Sequence, residues 1–287
     1  MRKSKAMPIL FFLVFLVGLS LLLYPMFADR WNQRRMDGVI ENYVQTAEAV
    51  DSAQAQQWLL RAQEYNQTLE GKGVPDAFAE TTPEEDSDYL SQLSFSEDGV
   101  MGYLEIPTIS VSLPIYHGTG TESLSKGAGH LQGSALPVGG KSTHCVISAH
   151  RGLPSAAMFT DLDQLKEGDH FYLSVLDQTL CYEVDDICVV EPEETDSLNV
   201  VPGEDLVTLV TCTPYGINTQ RLLVRGHRVD YVPETAVSEA QDPARSVYTH
   251  YGLWIAAGLG ITALFILLLW LWMRRSMRKD NDPGECP

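Results

Sequence analysis

From Asp205 to Thr211 the chain reads Asp-Leu-Val-Thr-Leu-Val-Thr, a β-branched and apolar run that has the character of a buried strand, with Cys212 at its end. Pro214 breaks that strand, and Tyr215 to Gln220 carry loop chemistry, with Gly216 and Asn218 as turn formers. A second strand begins at Arg221. Paired as antiparallel neighbours, the two strands set Cys212 almost opposite Arg221. Directly opposed residues have Cβ atoms about 5 Å apart and share a face. A thiol beside a guanidinium is a chemical arrangement, and it calls for a third partner.

Upstream, short strands broken by Gly and Pro follow one another from Gly99: 100–106, 111–115, 144–148, 170–176 and 179–191. Many short strands with frequent turns predict a mainly β fold, closed or sandwiched. The segment 158–165 reads as a short helix. There is no internal repeat and no low-complexity tract.

The two ends differ from this middle. Arg2, Lys3 and Lys5 precede an apolar run from Met7 to Phe27, and a second run spans about Leu253 to Met273, followed by Arg274, Arg275, Arg278 and Lys279. Each is long enough to cross a bilayer core as a helix of about 20 residues. Basic residues flank both runs on their outer-sequence sides, which predicts two transmembrane helices, cytoplasmic termini and an external middle. Ala28 is a weak cleavage site, so the first run reads as a signal anchor more than as a removed signal peptide. Between them, 29–70 forms a polar, helix-favouring arm of one or two helices, its apolar residues Val39, Ile40, Tyr43, Val44, Ala47, Trp58 and Leu59 recurring at roughly helical spacing. Residues 71–98 open with a linker rich in Gly, Pro, Thr and acidic residues.

The formal charge of the 287-residue chain is −18, from 38 acidic and 20 basic residues. Because the basic residues concentrate at the extremities, the middle is more acidic still. Such a surface is a poor nucleic-acid binder, which needs clustered Lys and Arg. It suits a cationic partner, such as a protein presenting a lysine, or simply a soluble surface. Of the five cysteines, Cys286 lies beyond the second apolar run. Cys181 and Cys188 either pair across a fold-back or, with Cys145, fill the core as small hydrophobes. No ligand spacing points to a metal.

The pattern Thr208-Leu-Val-Thr-Cys212 followed by Arg221 resembles the active-site signature of sortases, the cysteine transpeptidases of Gram-positive cell surfaces. The histidine that signature requires upstream is supplied by His144-Cys-Val-Ile-Ser-Ala-His150-Arg-Gly-Leu-Pro154. The phrases Leu-Pro-Ile-Tyr-His-Gly (113–118) and Leu-Pro-Val-Gly-Gly (136–140) resemble the class C, pilin-specific branch. Val146, Ser148 and His150 share one face by alternation, with His150 at the strand's rim. His117, His130 and His144 compete with it, as Arg225 and Arg228 compete with Arg221.

The resemblance implies an eight-stranded β-barrel over 99–233 with short helices, preceded by the helical arm. It also implies a catalytic set of Cys212, His150 and Arg221, with neither metal nor organic cofactor. Cys212 would attack the Thr–Gly bond of a Leu-Pro-x-Thr-Gly-like sorting signal, His150 would protonate the leaving amine, and Arg221 would orient the substrate or stabilise the oxyanion. The thioacyl enzyme would pass to a pilin lysine, building covalent pili. Class C members carry a mobile lid with an Asp-Pro-aromatic tripeptide before the barrel. Here its counterpart is Asp76-Ala77-Phe78, with alanine in place of proline; Phe78 would cover Cys212 and Asp76 would pair with Arg221.

The expected order is then a cytoplasmic N-terminus (1–6), an anchor (7–28), the arm (29–70), the lid and linker (71–98) and the barrel (99–233). A juxtamembrane linker (234–252), a second membrane helix (253–273) and a cytoplasmic basic tail (274–287) complete it. Two alternatives stay open: a general anchoring sortase using a cell-wall precursor amine, and a non-catalytic scaffold or adhesin that retains the fold. Val232-Pro-Glu-Thr-Ala236 imitates a sorting signal but lacks its leucine and final glycine.

Overall fold

The computed structural model of the chain describes residues 6–69, 76–78, 87–96 and 98–232, with a few positions between 256 and 263. Eight strands close a barrel: β1 (Val100–Ile106), β2 (Val111–His117), β3 (Ala128–His130), β4 (Thr143–Ser148), β5 (His170–Val175), β6 (Gln178–Val190), β7 (Asp205–Thr213) and β8 (Gln220–Val229). Their order around the barrel is β1-β2-β3-β4-β7-β8-β6-β5, and β1 pairs with β5 to complete the ring. Among the described residues closure gives every strand a neighbour on both sides, which is how a sheet of this size avoids edge-to-edge association.

Two of the pairings are parallel, β2 with β3 and β4 with β7; the rest are antiparallel. Alternation along the strands sends Leu104, Ile106, Leu113, Ile115, Ile147, Phe171, Leu173, Leu209 and Val224 into one buried core. Gly226 on β8 is required by a close approach, because a Cβ there would meet the Phe171 ring at 2.7 Å. β6 carries Cys181 and Cys188 along one continuous strand. Seven residues at ~3.3 Å each hold them roughly 20 Å apart, far beyond disulfide reach.

Short connections depart from the sequence expectation in three places. The three-residue β3 and the helix α4 (Thr121–Lys126) carry too little periodicity to stand out. In 158–165, where a helix is expected, only a 3-10 turn forms, Leu162–Gln164. Its polar groups are engaged elsewhere: the Phe159 amide donates to the His150 carbonyl, and the Thr160 hydroxyl accepts from the Gly152 amide. Met158 adopts a positive φ of 43°, which no α-helix tolerates.

Before the barrel, α1 (Ala6–Ala49) runs unbroken through Pro25. It contains a stretch long and apolar enough to cross a membrane. Its second half lies on the barrel. Asn32 donates to the Ser155 carbonyl at 2.8 Å, and Asp29 accepts from the Ala157 amide at 2.7 Å. The buried Tyr43 hydroxyl donates to the Met101 carbonyl (3.1 Å) and accepts from the Leu176 amide (2.9 Å). The helix α2 (Ser52–Gln67) is capped by Asp51, whose carboxylate accepts from the Ala53 amide. It buries Ala55, Leu59, Ala62 and Tyr65. Asn66 joins it to the loop before β4, donating to the Leu136 carbonyl and accepting from the Leu136 amide. The helix α3 (Ser87–Ser91) buries Tyr89. In the second apolar run, Ala256, Gly258, Leu259, Gly260, Thr262 and Ala263 are helical. The rest of 253–273 lies outside the described residues, as do 234–252, the basic tail 274–287 and most of 71–86.

Tyr43→Phe removes the hydroxyl that serves one buried acceptor and one buried donor. Its expected cost is about 1–3 kcal/mol of unfolding free energy, measured by urea denaturation of the chain.

Candidate active site

The site forms where β4, β7 and β8 end side by side. β7 and β8 pair so that Cys212 faces Arg221 directly, and the Arg221 Nη1 lies 3.7 Å from the Cys212 Sγ. The register follows from the loop: six residues, Pro214 to Thr219, turn β7 back into β8, with Asn218 (φ 62°) and Gly216 (φ 74°) at the left-handed positions. On the other side β7 runs parallel to β4 from Thr143↔Asp205 to Ser148↔Val210. His150 stands two residues past the last rung of that ladder, and Cys212 two residues past its partner, so both rise from one end of the barrel.

Above them lies the segment Asp76-Ala77-Phe78. Asp76 grips Arg221 with both oxygens, Oδ1 accepting from Nε at 2.9 Å and Oδ2 from Nη2 at 2.7 Å. This fork is largely buried, with the two side chains 14% and 11% exposed, so solvent screens it weakly. Ala77 is fully buried in a small apolar cluster with Leu131, Val146, Leu198, Val210 and Leu223. The Phe78 ring covers the rest. The Arg221 guanidinium carbon stands 5.3 Å from its centroid and the His150 ring 6.1 Å. One aromatic ring therefore spans the imidazole and the guanidinium.

Electrostatics follow from this cover. Burial pushes the Cys212 thiol up; Arg221 pulls it down and Asp76 pushes it up again. Burial lowers His150 below the usual imidazole value. The hydrogen bonds to Asp76 raise Arg221 further, so its charge is permanent. A raised thiol and a lowered imidazole favour the neutral pair at pH 7 while the segment is in place.

The rival histidines have other work. His130 is fully buried, with burial pushing it down to about 4. Its Nε2 donates to the Ala135 carbonyl, and its Nδ1 faces the Tyr89 hydroxyl at 2.9 Å. His144 bridges the Asn199 carbonyl and the Thr208 hydroxyl, and His117 donates to the Gln92 carbonyl. The His150 ring makes no hydrogen bond among the described residues. Arg225 forms an ion pair with Asp185, and Arg228 lies near Asp205 at the far end of β8. Arg151 does not stand out in the sequence, although it adjoins a residue that does.

A cysteine, an arginine and a histidine at one rim of a closed barrel, under an apolar cover, define a class of cysteine-nucleophile acyl-transfer site. Comparison with known proteins agrees: a family described as the sortase domain matches residues 104–229. The crystal structure of sortase C-1 from Actinomyces oris is 53% identical, with a TM-score of 0.59, over 62% of this chain and 99% of that one. A Streptococcus pneumoniae sortase C structure, described as giving insights into catalysis and pilin substrate specificity, is 45% identical with a TM-score of 0.61. It covers 68% of this chain and 97% of that one. Sortase A of Streptococcus agalactiae is 33% identical over 128 residues, 44% of this chain and 51% of that protein. The chain thus spans about half the length of this curated relative. The chain belongs to the sortase family of cysteine transpeptidases, and the solved structures it resembles are class C sortases.

Asp76→Ala deletes the carboxylate that raises the thiol and leaves Arg221, which lowers it, unopposed. The thiolate fraction at fixed pH therefore rises. Alkylation of Cys212 by iodoacetamide at pH 7, followed by mass spectrometry, is expected to quicken several-fold. Its pH profile moves to lower pH.

Proposed function

We propose that the chain is a class C sortase that cuts a Leu-Pro-x-Thr-Gly-like sorting signal between Thr and Gly and transfers the acyl group to a pilin lysine, assembling covalent pili. The observation that carries this reading is the register pairing of Cys212 with Arg221, with Asp76 locked onto the same guanidinium. The similarity to a sortase C described by its pilin specificity favours pilin over a general anchoring substrate. So does the segment over the site, which a narrow range of substrates would have to displace.

In the proposed cycle, Asp76 and Phe78 leave and Arg221 becomes available. The Cys212 thiolate attacks the threonine carbonyl carbon, and Arg221 donates hydrogen bonds to the oxygen as it gains charge. The tetrahedral adduct collapses by breaking the Thr–Gly C–N bond. Protonated His150 gives its proton to the departing glycine amine, leaving a thioester on Cys212. A lysine amine then attacks the thioester, loses its proton to His150 and expels the Cys212 thiolate, so the enzyme returns to its starting protonation. The strongly acidic surface favours approach of a cationic acceptor. In this reading residues 7–28 and 253–273 anchor the enzyme in the cell membrane with the barrel outside.

The test uses the full chain and a labelled Leu-Pro-x-Thr-Gly peptide. A mass adduct on Cys212, absent from Cys212→Ala, is expected. Arg221→Lys, which keeps the charge and loses the fork, is expected to slow acylation on the order of 10²–10³-fold. Transfer to a pilin lysine marks the polymerase, and transfer to a peptidoglycan-like amine marks the general anchoring enzyme. Failure to form any adduct, even after deletion of 71–88, would leave a scaffold.

A further inference from the structure

The β4–β7 ladder has a constant offset of 62, from Thr143↔Asp205 to Ser148↔Val210. Beyond the last pair one backbone bond remains, from the Ala149 amide to the Val210 carbonyl, and two side-chain bonds keep the same offset. The Thr211 hydroxyl donates to the Ala149 carbonyl at 2.8 Å, and the Arg151 Nη1 donates to the Thr213 hydroxyl at 3.2 Å. His150 and Cys212 share that offset as well and fall between the two bonds. The residue after the histidine is thus tied to the residue after the cysteine.

We propose that Arg151 is a positioning residue: with Thr213 it forms the outer tie that holds His150 and Cys212 in register past the end of the backbone ladder. Three observations converge on this. The Arg151 side chain is only 8% exposed and is anchored at its other end by an ion pair with Asp163. Its Nε is buried with no hydrogen-bond partner among the described residues, so the guanidinium is held in place by its Nη1 and Nη2 contacts alone. The His150 ring has no hydrogen-bonding partner of its own among the described residues. Catalytic imidazoles are commonly oriented by such a group. Here orientation passes instead through the backbone: the Phe159 amide bonds the His150 carbonyl, Thr211 secures Ala149 before it, and Thr213 holds the side chain of Arg151 after it.

The inference rests on the transpeptidase reading for its kinetic test, and a chemical test stands apart from that reading. In the full chain carrying Asp76→Ala, so that Arg221 is free, three variants are compared: Thr213→Val, Arg151→Met and the two together. Thr213→Val keeps size, charge and the Arg151–Asp163 ion pair, so it reports on the tie even where Arg151→Met fails to fold. Misplacing a reacting group by about 1 Å costs up to 10²-fold. Acylation kcat with the Leu-Pro-x-Thr-Gly peptide is therefore expected to fall on the order of tenfold in Thr213→Val and roughly 10–100-fold in Arg151→Met. KM should stay within about twofold. The double variant should be no slower than Arg151→Met alone, because both remove one interaction. The pH profile of Cys212 alkylation should lose its inflection from the neighbouring imidazole, the same change expected of His150→Ala.

Parental kcat and an unaltered alkylation profile in Thr213→Val would overturn the tie, as would losses that merely track melting temperature. A parent that alkylates normally but makes no thioester would instead refute the transpeptidase reading. The alkylation profile alone would then decide the tie.

Discussion

The parallel pairing of β4 with β7 is the constraint that the site depends on, because it brings His150 and Cys212 to one rim. The two residues are 62 positions apart, and no local turn could bring them together. A parallel pair needs a long crossover. Here that crossover includes β5 and β6, which close the far side of the barrel before the chain returns as β7. The long connection therefore supplies two of the eight strands that enclose the core. β8 then adds Arg221 by the cheapest means available, a short reversal onto β7. Two strand pairings of opposite sense, meeting on one strand, converge three functional groups without a dedicated catalytic loop.

Arg221 is claimed twice. Its Nε and Nη2 serve Asp76 while Nη1 approaches the Cys212 sulfur. A guanidinium offers a planar fork that can satisfy a carboxylate with one edge and still face a second group with the other, which a lysine cannot do. The pair with Asp76 is short, bidentate and mostly shielded from water, so it pins residues 76–78 against the barrel. Ala77 has the small side chain that lets this segment sink among Leu131, Val146 and Val210, and burying it anchors the cover by packing as well as by charge. In the proposed cycle opening must break both, and the departure of Asp76 removes one of the two influences that raise the thiol.

Much of this architecture was legible in the residues. β1 runs over the same residues that its alternation marks, and the ends of the longer strands agree within one or two positions. The facing of Cys212 and Arg221 could be read because a strand, a short Gly- and Asn-containing loop and a second strand leave one plausible register. β3 and α4 could not be read, since three or six residues carry no useful periodicity. The segment 158–165 misleads because its apolar spacing is helical, while the Phe159 amide is taken by the His150 carbonyl and the Thr160 hydroxyl by the Gly152 amide. The tie from Arg151 to Thr213 was invisible for another reason: it depends on a pairing between distant strands, and nothing in the local sequence of either residue reports it.

The first helix has a consequence for where the enzyme works. Its contacts with the segment that follows β4 begin at Asp29 and Asn32, only a few residues after the apolar run ends at Phe27. With that run placed in a bilayer, as proposed, no flexible stalk separates the barrel from the lipid. The catalytic rim would then sit at the headgroup layer and not tens of ångströms above it. A substrate still tethered by its own hydrophobic tail would meet the cysteine by lateral diffusion in two dimensions, before it ever left the plane in which it was delivered.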